Sequence, residues 1–325
     1  MKNPLIHFKC LFYGIGLLLV LLFCQCEESS DPDPFDGFTD SLTIANYPKV
    51  DGSTSAHPLQ AIIACKLLEV EYQWVPSWYD ETFRVLPSPD EKPETAYFIR
   101  DNIVHTGTHG SYVNLINGKA DLIIVARAPS EDENELADSS GVELSLEPIA
   151  LDAFVFIVNI KNPVNALTTN EIRHIYTQEI TNWNAVGGTK SPINAYRRNR
   201  NSGSQELMET LVMKDLSMPD LPYLLLHSMM GPINSITHDK NGIGYTVYFF
   251  EQFMAPNDSL KLLAVNGILP EYNTLKNRDY SYTTEVYAAI RKNINRSSMA
   301  YQLYKWLISP QGQEVVEESG YITYY

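Results

Sequence analysis

Three short segments of the sequence combine glycine with serine or threonine just before a predicted helix. They are Gly52–Ser55, Gly107–Ser111 and Ser202–Ser204. Glycine lets the backbone approach a ligand closely, the first N–H groups of a helix have no partner, and hydroxyl groups add further donors. One such segment is usually only a helix cap, but three of them together favour a shared binding site for an oxyanion.

Arginine is enriched just before the third segment, at Arg197, Arg198 and Arg200. A guanidinium group offers a charged fork of donors that matches an oxyanion. The sequence has no Gly-x-Ser-x-Gly motif, no metal-binding spacing of His or Cys and no informative pair of carboxylates. We therefore expect a binding protein and not an enzyme, with neither a cofactor nor a metal ion.

These segments need rigid elements to position them, and the hydrophobic pattern supplies candidates. Continuous apolar runs at Leu122–Ala126 and Phe154–Val158 predict strands that are buried on both faces. A helix with one apolar face is predicted to begin at Pro58, and a short strand is predicted at Ile103–Val104. Because strands and helices alternate along the chain, we expect an α/β fold with largely parallel sheets.

Composition limits the classes of partner. The chain has 325 residues, of which 19% are charged, and a formal net charge of −15. Proteins that bind nucleic acid usually need a basic face, so this charge argues against such a partner. It does not exclude a small anion, because helix N-termini and neutral donors also hold anions. Without a targeting segment, about 300 residues remain, which is roughly two domains' worth.

The N-terminus has the pattern of an export signal. Two lysines precede the apolar run Leu11–Phe23, which is too short for a transmembrane helix. We expect residues 1–26 to be a lipoprotein signal peptide, with the lipid on Cys26 or, as the alternative, on Cys24. The acidic segment 27–41 is then expected to be a flexible tether.

The motifs in the body of the chain resemble those of the phosphate-binding, PstS-like branch of the type II periplasmic binding proteins. The resemblance runs from Asn46 to the C-terminus and depends on the order and spacing of short pieces. These pieces include Asp51–Ser55, Asn117–Pro129, Ile157–Pro163, Leu167–Gly188, Arg198–Gln205, Gly242–Tyr245 and Trp306–Gly312.

The resemblance implies an α/β fold of two lobes, each a mostly parallel sheet flanked by helices, joined by a two-stranded hinge. One lobe would contain residues 42–151 and 279–325, and the other would be the inserted segment 152–278. It also implies a monomer that captures phosphate or a related oxyanion between its lobes for an ABC importer. The partners would be the importer's permease and, through the lipid anchor, the membrane of a bacterial cell envelope, at its periplasmic or outer surface.

Carried over residue by residue, the resemblance places the anion on the three segments and on Arg198, which stands four residues before Ser202. Ser204 takes the place of the family's threonine and keeps the hydroxyl group. The expected ligand-binding residues are Ser53, Thr54, Ser55, Thr108, His109, Gly110, Arg127, Arg198, Ser202, Gly203 and Ser204.

Arg127 departs from the family's pattern. The phosphate binders commonly have an Asp at this position, two residues before a proline, where it accepts the proton of hydrogen phosphate and repels sulfate. A guanidinium group has no acceptor and cannot take that role. Arg127 either contacts the anion as a second charged fork or pairs with a carboxylate and leaves the site.

Two other functions fit the same sequence. A surface sensor or adhesin would keep the fold and lose transport. A phosphatase is less favoured, because a serine that lies among donors and lacks a base is a ligand contact and not a nucleophile. Turnover of a phosphate ester would favour the enzyme, and loss of oxyanion binding with retained folding would favour the sensor or adhesin.

Overall fold

The computed structural model describes residues 35–78 and 81–325. The expected signal peptide, with Cys24 and Cys26, and the start of the expected tether lie outside the described residues. None of the helices in the described ranges combines the length and the apolar character needed to cross a membrane.

Helices and strands alternate along the described chain. The helices are α1 (Asp36–Ser41), α2 (His57–Leu67), α3 (Pro93–Asn102), α4 (Gly107–Ile116), α5 (Glu131–Ser139), α6 (Thr169–Tyr176), α7 (Gly203–Leu207), α8 (Gly231–His238), α9 (Tyr272–Lys276), α10 (Met299–Trp306) and α11 (Pro310–Glu318). The strands are β1 (Val50–Gly52), β2 (Tyr72–Pro76), β3 (Phe83–Pro87), β4 (Leu122–Val125), β5 (Leu144–Asn159), β6 (Ala166–Leu167), β7 (Asn194–Ala195), β8 (Arg197–Arg198), β9 (Leu225–Leu226), β10 (Gly242–Val247), β11 (Leu260–Leu262), β12 (Ala264–Val265), β13 (Thr283–Arg291) and β14 (Ile322–Thr323). Short 3₁₀ turns cover Trp183–Val186 and Pro222–Leu224, and π-helical turns cover Met208–Met213 and Phe250–Met254.

Strand β5 runs through two sheets. Its first part pairs with β13 as far as Ala153, and its second part pairs with β10 from Phe154 onwards. The N–H group of Phe154 donates to the carbonyl of Tyr282 at 2.9 Å, so two segments of the chain cross between the sheets side by side. This is the α/β fold of two lobes and a two-stranded hinge that the sequence predicts.

Whether β5 pairs with its neighbours in a parallel or an antiparallel direction follows from this crossing. Strands β1 and β4 are parallel, as are β7 and β10, which agrees with the strand–helix alternation. The pairs that β5 makes with β13 and with β10 are antiparallel. Strand β5 leaves the first sheet and β13 returns to it, so the two must run in opposite directions where they lie side by side. The sheets are therefore mixed at the hinge.

Both apolar runs form buried strands, as predicted. Every residue of Leu122–Val125 and of Phe154–Val158 is at most 2% exposed. A strand without polar residues is stable only where both of its faces are covered, here by helices and by the opposite layer of the core.

Two local expectations differ from the structure. The end of the expected tether forms helix α1, because Phe38 is 6% exposed and packs in the core. The strand predicted at Ile103–Val104 is wrong, since Ile103 is the C-cap of helix α3 and its N–H group donates to the carbonyl of Ile99 at 3.0 Å. The spacing of Ala96, Ile99 and Ile103, all buried, is the helical signal that indicates α3.

Asp152 lies on β5 at the hinge, and its carboxyl group is buried. Its Oδ1 accepts hydrogen bonds from the N–H groups of Ala153 at 2.8 Å and Phe249 at 2.9 Å. Its Oδ2 has no hydrogen-bond partner within the described part of the chain. Burial raises the pKa of Asp152 to about 7, against the opposing effect of the two N–H groups.

We expect the Asp152→Asn variant to gain stability over the wild type as the pH rises. The pKa of Asp152 is higher in the folded state, so its contribution to stability is complete at low pH and is lost as the pH rises through the folded pKa. The asparagine does not ionise. The difference in free energy of unfolding, variant minus wild type, should increase by about 2 kcal/mol between pH 5 and pH 8. Urea denaturation at both pH values measures it.

The control for this experiment is Asp138→Asn, because Asp138 is exposed at the surface. The difference in free energy of unfolding between Asp138→Asn and the wild type should be the same at pH 5 and at pH 8. An Asp152→Asn variant that behaves like this control would contradict the ionisation of Asp152 at the hinge.

Candidate anion-binding cleft

A cavity of about 790 Å³ lies where the three glycine- and hydroxyl-containing segments meet. Small-molecule sites in proteins usually enclose roughly 300–1,000 Å³, so the cavity is large enough for a ligand. The structure thus brings together segments that lie far apart in the sequence. The expected ligand-binding residues that line the cleft are Ser53, Thr54, Ser55, Thr108, His109, Gly110, Arg198, Ser202, Gly203 and Ser204.

The first segment, Gly52–Ser55, is fixed by hydrogen bonds to two other parts of the chain. The N–H group of Ser53 donates to the carbonyl of Ile124 at 3.0 Å, and its Oγ accepts from the N–H group of Ala126 at 2.9 Å. The hydroxyl of Tyr321 donates to the carbonyl of Ser55 at 3.0 Å. Residues that follow or end strand β4 and the C-terminal end of the chain therefore hold this segment in place.

Asp51 connects the first segment to the second. Its buried carboxylate accepts hydrogen bonds from the N–H group of Thr106 at 2.8 Å, from the Thr106 hydroxyl at 2.7 Å and from the Asn114 amide at 2.7 Å. The N–H group of Gly52 and the hydroxyl of Ser111 are further donors. A buried carboxylate is tolerated only when its oxygens have such partners. The sequence motif alone does not reveal this role, because Thr106 and Asn114 lie 55 and 63 residues away from Asp51 in the chain.

The second segment, Gly107–Ser111, forms the first turn of helix α4 and contacts both other segments. The hydroxyl of Thr108 lies 2.7 Å from the Oγ of Ser53. A Cβ atom placed on Gly203 would lie 2.5 Å from the same hydroxyl, so only glycine fits there. The three segments therefore converge at Thr108.

The third segment, Ser202–Ser204, begins helix α7. The Oγ of Ser202 accepts a hydrogen bond from the N–H group of Gln205 at 3.1 Å, so Ser202 caps the helix. The buried hydroxyl of Ser204 has a weaker contact, 3.7 Å from the sulfur of Met229. Both hydroxyl groups can still donate to a ligand, because the bond to Ser202 uses only an acceptor lone pair and the contact of Ser204 is long.

Arg198 brings a buried positive charge to the cleft. Its side chain is 6% exposed, its Nε donates to the carbonyl of Leu226 at 3.3 Å, and its Nη1 lies 3.4 Å from the sulfur of Met229. Burial lowers the pKa of Arg198, and the neighbouring Tyr245 opposes this effect. Within residues 35–78 and 81–325, no carboxylate lies at ion-pair distance from Arg198. Because a buried charge without a counter-charge is unfavourable, this position is suited to an anion.

The described residues that line the cleft include no aspartate and no glutamate. This described lining thus differs from the chain as a whole, which carries a net charge of −15. Hairpin β2–β3 also contributes residues to the lining of the cleft. This contribution was not predicted, because that region lacks a recognisable motif. The basic and imidazole side chains of the lining are Arg84, Arg198, Arg200, His57, His105, His109 and His227.

Two of these histidines do not add positive charge at neutral pH. The ring centroids of His57 and His105 are 4.7 Å apart. Burial, followed by the charge of His105, lowers the pKa of His57 to about 4. Burial also lowers the pKa of His105. The positive charge in this part of the cleft therefore comes from arginine.

Arg127 does not line the cleft, so the expected contact with the anion is corrected. Its Nη1 donates to Glu133 Oε2 at 2.7 Å, and its Nη2 donates to Glu133 Oε1 at 2.8 Å. Burial alone would lower the pKa of Arg127, but the hydrogen bonds and charge of Glu133 raise it. Glu133 belongs to the capping box of helix α5, which places its buried carboxylate within reach of Arg127. Of the two roles considered for Arg127, the structure shows the second, which is to pair with a carboxylate.

We expect Asp51→Asn to lower both stability and anion affinity. The amide would place a donor against the Thr106 hydroxyl or the Asn114 amide, and a buried donor left unpaired costs about 1–3 kcal/mol. Because Asp51 connects two segments of the cleft, affinity for phosphate should fall by about tenfold, the equivalent of one neutral hydrogen bond. Urea denaturation and calorimetric titration measure the two effects. Exposed Asp258, changed to Asn, is the control; lowered stability with unchanged affinity would limit Asp51 to a structural role.

Comparison with known proteins agrees with this geometry. A model of the PBP superfamily domain matches residues 94–311. Protein SphX of Synechococcus elongatus is 27% identical over 187 residues, which cover 54% of this chain and 54% of SphX. The phosphate-binding protein PstS of Staphylococcus epidermidis is 25% identical over 223 residues, or 66% of this chain and 67% of that protein. The chain thus matches about half of the length of SphX and two thirds of that of PstS.

Solved structures show the same fold. A protein of Clostridium perfringens, described as a phosphate ABC transporter substrate-binding protein with bound phosphate, has a TM-score of 0.63 at 21% identity, covering 86% of this chain and 100% of that one. An ABC-type phosphate transport receptor of Vibrio cholerae has a TM-score of 0.60 at 22% identity, covering 84% and 98%. PstS is named as a binding protein and the two solved structures as a substrate-binding protein and a transport receptor, which confirms the resemblance to the PstS-like branch and the expectation of a binding protein. With two thirds of its length matched by the family model, the chain belongs to the PBP superfamily.

Proposed function

We propose that this protein is an extracytoplasmic substrate-binding protein that captures phosphate in its cleft. The observation that carries the proposal is Arg198, a buried guanidinium group in a cleft whose described lining has no carboxylate. The names of PstS and of the two solved structures support phosphate as the ligand. A related oxyanion of the same shape would use the same donors.

The chemistry of capture follows from the types of donor. Arg198 supplies a charged hydrogen bond, which is about twice as strong as a neutral one. The Thr108 and Ser204 hydroxyls and the N–H groups of the first turn of α4 are neutral donors that match a tetrahedral anion. Because the three segments already contact one another at Thr108, little rearrangement is needed for an anion to reach all of them.

In this proposal the two lobes hold the ligand between them. We assign residues 42–151 and 279–325 to one lobe and 152–278 to the other. The change of partner along β5, after Ala153, supports the first of these boundaries. The hydrogen bond from Phe154 to Tyr282 supports the return near residue 279.

Export and anchoring complete the proposal. Residues 1–26 direct the chain to the cell envelope, Cys26 (or Cys24) carries the lipid, and the monomeric protein passes its anion to the permease of an ABC importer. The basic and apolar pattern of residues 1–23 and the transporter names of the solved relatives support these steps.

Replacement of Arg198 by methionine should weaken phosphate binding and leave the protein folded. A hydrogen bond to a charged group contributes about 1.5–3 kcal/mol, so affinity should fall by about 10- to 100-fold. Thermal stability should change little, because no ion pair is broken and the carbonyl of Leu226 still accepts a hydrogen bond from the N–H group of Asn199. Calorimetric titration, after unfolding and refolding to remove bound ligand, measures the affinity. The control is Arg296→Met at an exposed position. Equal phosphate affinity in wild type and Arg198→Met would remove Arg198 from the site, and no binding by the wild type would overturn the proposed function.

The lipid attachment has a separate test. Cells that express the full chain with a radioactive fatty acid should label the wild type and the Cys24→Ser variant, but not Cys26→Ser. Two acyl chains on one cysteine hold a protein at a membrane, whereas a single chain is marginal. Label that is lost only in Cys24→Ser would assign the anchor to that residue, and label absent from the wild type would contradict the anchor.

A further inference from the structure

Arg84 brings a further positive charge to the cleft from hairpin β2–β3. It lies on strand β3 opposite Val75 of strand β2, and it lines the cleft together with its neighbour Phe83. Val85, the next residue of the strand, is buried and packs in the core. Because the core anchors strand β3 on either side of the hairpin pairing, the hairpin holds Arg84 at the wall of the cleft.

The guanidinium group of Arg84 has free hydrogen-bonding capacity. Its Nε atom is buried and has no hydrogen-bond partner among the described residues. The described lining of the cleft contains no aspartate or glutamate that could pair with it. Arginine stays charged in proteins, and a buried polar atom without a partner is unfavourable. The donors of Arg84 are therefore available to an anion that enters from solution.

Two uncharged rings lie near Arg84. Burial and the charge of His105 lower the pKa of His57, and the positive charge of Arg84 lowers it further. Burial also lowers the pKa of His105. Nε2 of His57 lies 3.1 Å from the carbonyl of Ile103, so this atom already has a partner. At neutral pH, the positive charge at this end of the described lining therefore belongs to Arg84.

Arg84 and Arg198 reach the cleft from different parts of the chain. In the assignment proposed above, Arg84 belongs to the lobe of residues 42–151 and Arg198 to the inserted segment 152–278. Strand β3 also packs against the turn Phe250–Met254 of the inserted segment, so the hairpin extends to the far side of the cleft. Two guanidinium groups on different elements suit a ligand with two anionic groups.

The cleft also has more room, and more apolar surface, than a phosphate ion uses. Its volume is about 790 Å³. A phosphate ion, taken as roughly five water-sized groups of about 30 Å³ each, fills ~150 Å³. A carbon skeleton gains free energy from contact with apolar side chains, whereas inorganic phosphate has no apolar group to bury. Apolar side chains of the lining include Phe83, Leu207, Val247, Phe250 and Met254.

We propose that the preferred ligand is a phosphorylated small molecule with a second anionic group, which Arg84 binds. This proposal rests on the proposed function and deepens it, because it names the class of ligand. The phosphoryl group binds to Arg198 and the three converging segments, and the carbon skeleton contacts the apolar part of the lining. The second group is a carboxylate or a second phosphoryl group, since a guanidinium fork pairs with both.

Three ligands with the same carbon chain test this proposal. Glycerol phosphate ends in a hydroxymethyl group, phosphoglycerate ends in a carboxylate, and glycerol bisphosphate ends in a second phosphoryl group. The purified protein is unfolded and refolded to remove bound ligand, and each compound is titrated by calorimetry, as is inorganic phosphate. In the wild type, phosphoglycerate, glycerol bisphosphate or both should bind about 10- to 100-fold more tightly than glycerol phosphate, the scale of one hydrogen bond to a charged group. Which of the two gains affinity identifies the second group.

Replacement of Arg84 by methionine should remove this preference. The ratio of the affinity for the doubly anionic ligand to that for glycerol phosphate should fall to about one, because the group that recognises the second anion is lost. Arg84→Lys keeps the charge and should retain part of the ratio. The matched control is Arg200→Met, because Arg200 also lines the cleft but is exposed. Its loss should leave the ratio within about twofold, since water and salt screen an exposed charge.

Three results would overturn the role of Arg84 and leave the capture of phosphate intact. The first is a wild type that binds both doubly anionic ligands no more tightly than glycerol phosphate. The second is a ratio that falls in Arg200→Met and not in Arg84→Met. The third is an Arg84→Met variant that loses equal affinity for inorganic phosphate and for phosphoglycerate, which would place Arg84 on the phosphoryl group itself. If the wild type binds none of the four compounds, the proposed function fails, and the role of Arg84 fails with it.

Discussion

The buried carboxylate of Asp51 determines the shape of the cleft. It binds the backbone and side chain of Thr106, which lies 55 residues away in the chain, and thereby fixes the start of helix α4 against the end of strand β1. The contact between Ser53 and Thr108 and the close approach of Gly203 both depend on that placement. The ligand groups of the cleft are thus positioned by a charge that does not itself line the cleft.

The two arginines predicted to bind the anion have opposite environments. Arg127 is buried with a carboxylate, so its charge is neutralised within the protein. Arg198 is equally buried and is left with a carbonyl and a sulfur atom. For anion binding by a chain with a net charge of −15, the positions of the carboxylates matter more than the number of arginines. Because salt screens charges beyond roughly 8 Å, the acidic exterior has little effect on an anion already held in the cleft.

Local patterns in the sequence were enough to predict the most apolar elements and the three segments. Apolar runs identify β4 and the second half of β5, because a strand buried on both faces has no polar residues. The role of Asp51 and the contribution of hairpin β2–β3 were not predictable, because both depend on contacts between residues far apart in the chain.

The predictions for Arg127 and for the segment that ends at Ile103 were incomplete or wrong for other reasons. For Arg127 the sequence left two readings open, and only the position of Glu133 in the fold separates them. The helical spacing of Ala96, Ile99 and Ile103 was visible in the sequence but was interpreted as a strand at its end.

Strand β5 is one uninterrupted element with residues in both sheets. The lobes of this protein are therefore not linked by a flexible joint, and any change in the angle between them has to bend or twist a hydrogen-bonded strand and the segment beside it. The same continuity couples the lobes in folding, since each sheet contains one part of β5 and the two parts are joined directly at Ala153 and Phe154.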